Sequence, residues 1–134
     1  MATQIYVNLP VKELKRSVDF FTGLGFSFNA EFTDDNATCM VIDENIYVML
    51  LVEEFFQGFT PKAVCDAHRS TEVLVCLSRA SREDIHRMVE KAVAGGGKTP
   101  NPPKDYGFMY QHGFEDLDGH MWELVYMEPK QPGQ

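Results

Sequence analysis

The first apolar pattern of the chain alternates with period two over Gln4–Val11, and its apolar positions are Ile5, Val7, Leu9 and Val11. Alternation sends successive side chains to opposite faces of a strand, so this segment predicts a strand with one apolar face. From Lys12 the apolar period lengthens to that of a helix. Gly23 and Gly25 favour the end of this helix, because glycine readily adopts the left-handed conformation found there.

Three short strands are predicted next, over Phe26–Phe32, Ala37–Asp43 and Ile46–Val52. Clusters of Asp, Glu and Asn between them are typical of turns. The first part of the chain therefore predicts the order strand, helix, strand, strand, strand.

The segment Glu53–Arg69 breaks this pattern and predicts a linker or a lid-like loop. It contains Gly58 and Pro61, which interrupt regular structure. Its three aromatic residues, which are Phe55, Phe56 and Phe59, are expected to fold back onto apolar surface.

The order of elements then restarts. Thr71–Ser78 predicts a strand, Ser81 is a good N-cap for a helix, and Gly95–Gly97 ends that helix. A proline-interrupted edge segment follows, and Phe108–Glu115 with His120–Met127 predicts a hairpin. The repeat predicts an α+β fold of two paired βαβββ modules, residues 4–52 and 70–128, joined by a linker at residues 53–69 within a single domain, 1–134. Each helix covers one face of its sheet, which leaves the other faces to form a curved open cleft.

Composition narrows the classes of function. The chain has 134 residues, 44% of them hydrophobic, which excludes a disordered chain, and a net charge of −8, which disfavours binding to nucleic acid or to an anionic membrane. The start lacks the basic and apolar pattern of a secretory signal, and the apolar runs are too short to span a bilayer. Three cysteines without a C-x-x-C pair favour reduced, buried thiols. We therefore expect a cytoplasmic protein.

Two sequence motifs resemble those of a known family: N-L-P-V-K-E-L-K-R-S-V-D-F-F at residues 8–21 and D-L-D-G-H-M-W-E-L at residues 116–124. Together with the repeat, they resemble the vicinal oxygen chelate superfamily, which includes glyoxalase I, fosfomycin and bleomycin resistance proteins, and extradiol dioxygenases. The resemblance covers residues 4–127. The chain looks most similar to bacterial proteins described as predicted lactoylglutathione lyases.

For metal-dependent members, the resemblance implies four inward ligands, on the first and last strands of each module. At the ligand position on the last strand of the second module, Glu123 supplies the carboxylate that is usual there. Tyr6 and Glu72 occupy positions where histidines are usual. Leu50, or Met49 one position earlier, stands where a carboxylate or histidine is usual. A catalytic divalent ion needs three or more protein ligands, so this set is incomplete and disfavours a dioxygenase. The cofactor is left open.

The alternation places Tyr6 and Asn8 opposite the helix-facing side of the first strand, and Glu72 opposite that of the fifth. We predict Glu123 as the catalytic base and predict substrate contacts at Tyr6, Asn8, Leu50, Glu72 and His112. Glu72 either meets Glu123 in the cleft or lies at the exposed start of its strand. His68 and His86 are expected in solvent and His120 beside a turn.

Two functions follow as expectations. The first is a glyoxalase-like lyase or isomerase that moves a proton on a small oxygenated or thiol-conjugated molecule. The alternative is a non-catalytic binding protein of the bleomycin-resistance type, whose acidic surface and aromatic residues suit a cationic or aromatic ligand. In either case we expect a small-molecule partner, no nucleic acid or membrane partner, and a homodimer.

Overall fold

The computed structural model describes residues 2–129. The chain divides into two compact units, unit 1 (residues 1–66) and unit 2 (residues 67–134), and each holds a four-stranded mixed sheet with helices. Neither sheet is closed, in agreement with the predicted α+β fold of two modules with open sheets.

The elements of unit 1 are β1 (Ile5–Val11), α1 (Leu14–Gly23), β2 (Ser27–Asn29), β3 (Ala37–Asp43), β4 (Ile46–Val52) and α2 (Glu53–Gln57). The strand order is β1-β4-β3-β2, with β1 parallel to β4 and the other pairs antiparallel. The residues of the apolar face of β1 pair with those of β4, so that Leu9 lies beside Leu50. Both are buried, as are Met40, Phe20 and Phe21.

The elements of unit 2 are β5 (Leu74–Ser78), α3 (Arg82–Ala94), β6 (Lys104–Asp105), β7 (Met109–Glu115) and β8 (Met121–Met127). The order is β5-β8-β7-β6, with β5 parallel to β8, so unit 2 repeats the topology of unit 1. Its core stacks Phe114 on Trp122, with ring centroids 6.2 Å apart, and both side chains are fully buried. Ser81 caps α3 as predicted, since its hydroxyl accepts from the Asp84 N–H at 3.1 Å.

Three predicted elements differ in the structure. The strand predicted to reach Phe32 stops at Asn29, because the Asn29 side chain accepts from the Glu31 N–H at 3.0 Å and starts a 3₁₀ turn. The predicted linker begins with the helix α2, whose first turn carries Glu53 and Glu54. The strand predicted from Thr71 begins only at Leu74. At Asn29, this side-chain hydrogen bond to the backbone outweighs the apolar pattern.

The thiols are not uniformly buried as expected. Cys39 is buried, Cys65 is half-buried and Cys76 is exposed. None of the described helices is long and apolar enough to span a bilayer.

Arg82 holds the start of α3 to the edge of its sheet. Its guanidinium donates to the Asp105 carboxylate at 2.7 Å and to the Gly107 carbonyl at 3.2 Å, and it lies 5.2 Å from the centre of the Tyr110 ring. The hydrogen bond from Arg82 lowers the pKa of Asp105 below its ordinary value.

Changing Arg82→Met is expected to return the pKa of Asp105 toward its ordinary value, measured by NMR titration of the carboxyl carbon. A carboxyl with a lowered folded-state pKa stabilises the fold above its unfolded pKa, and this contribution is lost as the pH falls through the folded value. The wild-type protein should therefore lose stability in acid more steeply than the variant. The control is Arg87→Met on the same helix, which pairs with Asp84 instead. An unchanged Asp105 titration in Arg82→Met would contradict the assignment.

Candidate functional site

Glu123 lies on the open face of the unit 2 sheet. Its neighbours Trp122 and Leu124 are fully buried on the other face, in the core of the unit. Because successive strand residues point to opposite faces, the Glu123 side chain is directed away from this core and is half-buried. The sequence alone did not settle this direction, since both sides of β8 carry apolar residues.

Two residues of β7, Gln111 and Gly113, lie beside the Glu123 carboxylate. The Gln111 side-chain amide donates to Glu123 Oε2 at 3.2 Å. Gly113 is the register partner of Glu123 on β7, and a Cβ there would lie 2.4 Å from the Trp122 carbonyl and 3.0 Å from Glu123 Oε2. Only glycine therefore leaves room for the carboxylate at this position.

Cys76 is the register partner of Glu123 on β5. Although Cys76 is exposed, partial desolvation by its neighbours, and then the charge of Glu123, raise the pKa of its thiol, which keeps it protonated at neutral pH. Nothing in the sequence pattern indicated that Cys76 pairs with Glu123, because the pairing depends on strand register.

A small cavity of about 40 Å³, here called the polar pocket, opens beside Glu123. The side chains that give it its chemistry are Asn101, Lys104, Gln111, Met121 and Glu123. Sequence reasoning missed Gln111 and Lys104, because their meeting with Glu123 depends on the pairing of three strands. The only local signal was their place on the predicted edge segment and hairpin.

Glu72 does not lie on a strand beside Glu123, as one of the two predicted alternatives required. It precedes β5, and its carboxylate is 2.9 Å from His120 Nδ1. His120, expected beside a turn, is 2% exposed and belongs to the core of unit 2. The Glu72–His120 pair therefore joins the segment before β5 to the turn between β7 and β8.

A buried carboxylate organises that same turn. Asp116 Oδ1 accepts from the backbone N–H groups of Asp118 and His120 at 2.9 and 3.0 Å, and Oδ2 accepts from the Trp122 indole at 2.9 Å. Burial raises the pKa of Asp116, while nearby His120 and these donors act in the opposite direction. Gly119 completes the turn with a φ of +89°, and a Cβ there would lie 2.5 Å from the backbone nitrogen of His68. This turn sets where β8 begins, and thus the position of Glu123.

His112 borders the polar pocket, although its place on β7 alternates with that of Gln111. Its Nε2 is 2.9 Å from the Thr99 hydroxyl and 3.0 Å from the Asn101 carbonyl. His112 therefore anchors the loop at residues 99–101, whereas a direct substrate contact stays a prediction. His86 is exposed to solvent, as expected, and its Nε2 also lies 2.7 Å from the Tyr110 hydroxyl.

The predicted site residues of unit 1 lie on two faces of its sheet. Tyr6 and Asn8 share the open face, where the Tyr6 ring stacks on Tyr47 with centroids 4.9 Å apart. Leu50 lies on the other face beside Leu9 and is fully buried, so its side chain is closed to a ligand. Met49, the alternative, pairs with Asn8 and is half-buried on the open face. The structure thus favours Met49 for this position.

A second cavity, here called the apolar pocket, lies in unit 1 and has a volume of about 390 Å³. It is lined by Asn8, Leu51, Phe56, Phe59 and Thr60. Phe59 is 72% exposed and meets Phe55 edge-on, with ring centroids 5.3 Å apart. Two of the three aromatic residues of the predicted linker, Phe56 and Phe59, therefore line this pocket, and Phe55 packs against Phe59.

The donor set does not fit the divalent ion that the family resemblance implies. Among residues 2–129, no three His, Cys, Asp or Glu side chains are grouped so that they could hold a metal ion. Leu50 offers no donor atom, and the Glu72 carboxylate is bonded to His120. These described residues therefore do not form a site for a divalent ion.

Comparison with protein families supports the resemblance. The model of the Glyoxalase/Bleomycin resistance protein/Dioxygenase superfamily matches residues 3–124. The chain belongs to this superfamily. No curated protein matches the chain in sequence. Proteins of the glyoxalase/bleomycin resistance/dioxygenase superfamily bind small-molecule substrates or ligands.

Several solved structures share the fold of this chain. A hypothetical protein from S. aureus, SA1046, is 26% identical over 94% of this chain and 95% of its own, with a TM-score of 0.80. A glyoxalase/bleomycin resistance protein/dioxygenase family enzyme from Burkholderia phytofirmans PsJN is 14% identical, covers 94% and 99% of the two chains, and has a TM-score of 0.77. The fosfomycin resistance protein FosX from Listeria monocytogenes is 16% identical, covers 98% and 95%, and has a TM-score of 0.66.

Proposed function

We propose that this member of the superfamily binds a small aromatic molecule with a positive charge, and that the ligand enters the apolar pocket of unit 1. The observation that carries the proposal is a 390 Å³ cavity with aromatic walls and two polar side chains, Asn8 and Thr60. Ligand sites of proteins are typically cavities of about 300–1,000 Å³ with apolar walls and a few placed polar groups.

The aromatic rings favour a flat ligand. Phe56 and Phe59 offer their rings to the cavity, and Phe59 keeps most of its surface open to solvent. A ligand ring that covers this surface removes apolar area from water on both sides, at about 25 cal/mol per Å². Asn8 holds its amide near the cavity and donates weakly to the Tyr6 carbonyl at 3.4 Å, which leaves its oxygen as an acceptor for the ligand.

The charge distribution favours a cation. Residues 1–66 contain ten Asp or Glu but four Lys or Arg. Glu53 and Glu54 form the first turn of α2, and Phe56 of the same helix lines the pocket. An acidic surface attracts a cation before contact, and the face of a phenylalanine ring attracts it after contact.

Two dyes of opposite charge test this proposal. Thioflavin T, an aromatic cation, is expected to bind at least about tenfold more tightly than the aromatic anion anilinonaphthalene sulfonate, measured by fluorescence titration. Changing Phe59→Ala should weaken thioflavin T binding about tenfold, equivalent to about 1.4 kcal/mol, because a ring that contacts the ligand is lost.

The control is Phe32→Ala, because Phe32 is also exposed (56%) in unit 1 but does not line the pocket. Its affinity for thioflavin T should match that of the wild type. Equal loss in the two variants, or tighter binding of the anionic dye, would refute a cation-binding apolar pocket.

A second candidate function, proton transfer of the lactoylglutathione lyase or isomerase type, is supported by Glu123. Its carboxylate lies on the edge of the polar pocket and accepts a hydrogen bond from the Gln111 side-chain amide. In such a reaction Glu123 takes a proton from the carbon beside a carbonyl and returns it to the neighbouring carbon. The Lys104 ammonium, on the same pocket, stabilises the negative charge that develops on the carbonyl oxygen.

A homodimer and a cytoplasmic location remain predictions. For the homodimer, the supporting observation is that β1 and β5 are edge strands of their own sheets and carry exposed apolar residues, such as Ile5 and Leu74. Exposed edges of this kind are usually covered by other chain segments or by a second copy.

A further inference from the structure

We infer that the polar pocket of unit 2 binds a small zwitterion of the amino acid type, with the ligand carboxylate at Lys104 and the ligand ammonium at Glu123. Both side chains line the same cavity. The inference concerns unit 2 alone, so it holds or fails independently of the apolar pocket in unit 1.

The strand register places the two charges on one face. Lys104 on β6 pairs with Gln111 on β7, and register partners project to the same side of a sheet. Gln111 in turn donates to Glu123 on β8. The Cα atoms of Lys104 and Glu123 are about 12 Å apart, because they are separated by two strand spacings and by two residues along the strand. The two long side chains and one small ligand can bridge this distance.

Among residues 2–129, no ion pair neutralises either charge. Within the described part of the chain, Lys104 belongs to none of the ion pairs, and its neighbour Asp105 is held by Arg82. Glu123 accepts from the neutral amide of Gln111, which leaves its charge uncompensated. A pocket whose cation and anion form no ion pair within the described part of the chain is complementary to a ligand that carries both charges in the opposite order.

The size of the pocket limits the ligand. A volume of about 40 Å³ holds roughly three water-sized groups, since one water needs about 10–15 Å³ by the same measure. This room suits the ammonium, α-carbon and carboxylate of an amino acid, whereas an aromatic ring system is too large. Gly113 contributes to this room because it places no side chain against Glu123.

The test uses glycine and its two halves as probes, acetate and methylamine, at neutral pH and low salt. Binding is followed by ¹H–¹⁵N NMR through the Gln111 side-chain amide and the Gly113 backbone amide. Glycine is expected to shift both signals in the millimolar range, and each half should bind at least about tenfold more weakly, because one of two charged contacts is missing.

Variants separate the two ends of the ligand. Lys104→Met should weaken glycine at least about tenfold and abolish the acetate response while leaving methylamine unchanged. Glu123→Gln should weaken glycine by a similar factor and abolish the methylamine response while leaving acetate unchanged. The controls are Lys91→Met and Glu83→Gln on α3, which lie away from the pocket and should bind glycine as the wild type does.

Three results overturn the inference: no response to glycine at tens of millimolar, acetate binding as tightly as glycine, or wild-type glycine affinity in both pocket variants. The second result would identify a simple anion site. The NMR spectra themselves report whether each variant is folded, and both substitutions remove exposed or half-exposed charges that the core does not need.

Discussion

Glu123→Gln is expected to lower the rate of proton transfer about 10²–10⁴-fold while the protein stays folded, because the amide keeps the shape of the side chain but cannot act as a base. The measurement is the formation of the thioester from methylglyoxal and glutathione, followed by absorbance. The fall should appear in kcat, since the proton is transferred in the transition state.

The matched control is Glu83→Gln, an exposed carboxylate of α3 that pairs with Arg87 on the surface. It should keep the wild-type rate. Wild-type protein that forms no thioester would remove the lyase candidate and leave the binding proposal in place. Turnover that survives in Glu123→Gln would show that another group is the base.

Asp116→Ala is expected to lower the free energy of unfolding by about 3–5 kcal/mol, because three buried N–H donors lose their acceptor at once. These donors are the Asp118 and His120 backbone groups and the Trp122 indole. Urea unfolding followed by the fluorescence of Trp122, the single tryptophan of the chain, measures both the stability and the surroundings of the indole.

Asp34→Ala is the matched control for this loss. Asp34 Oδ1 also accepts from two backbone N–H groups, those of Asn36 and Ala37, but in an exposed turn where water replaces it. The Asp34→Ala substitution should lower the free energy of unfolding by about 1 kcal/mol or less. Equal costs for the two variants would mean that burial does not strengthen the Asp116 network. Asp116→Asn should fall between them, because one carboxyl oxygen is kept as an acceptor.

Residue patterns by themselves determined most of the fold. Alternation gave β1 to within one residue, the turn-forming clusters between short strand segments gave β3 and β4 with their observed bounds, and the helical period gave α1 and α3. These signals are local, because one buried face imposes its period on the segment that forms it. The repeat of the same element order then predicted two modules, and the structure has two units of the same strand topology. The same local reasoning placed Tyr6 and Asn8 on the open face of β1.

Only the tertiary structure decided which side chains meet. Both faces of β8 are apolar in sequence, and the burial of Trp122 and Leu124 is what directs Glu123 to the open face. Glu72 bonds to His120, which is 48 residues away in the chain. Lys104 lies in the same pocket as Glu123 because of the register of β6, β7 and β8. Such contacts depend on long-range pairing, which no local period encodes, because a shift of one residue would reverse every face. The sequence thus determined the elements and their apolar faces, whereas strand register and packing determined the site.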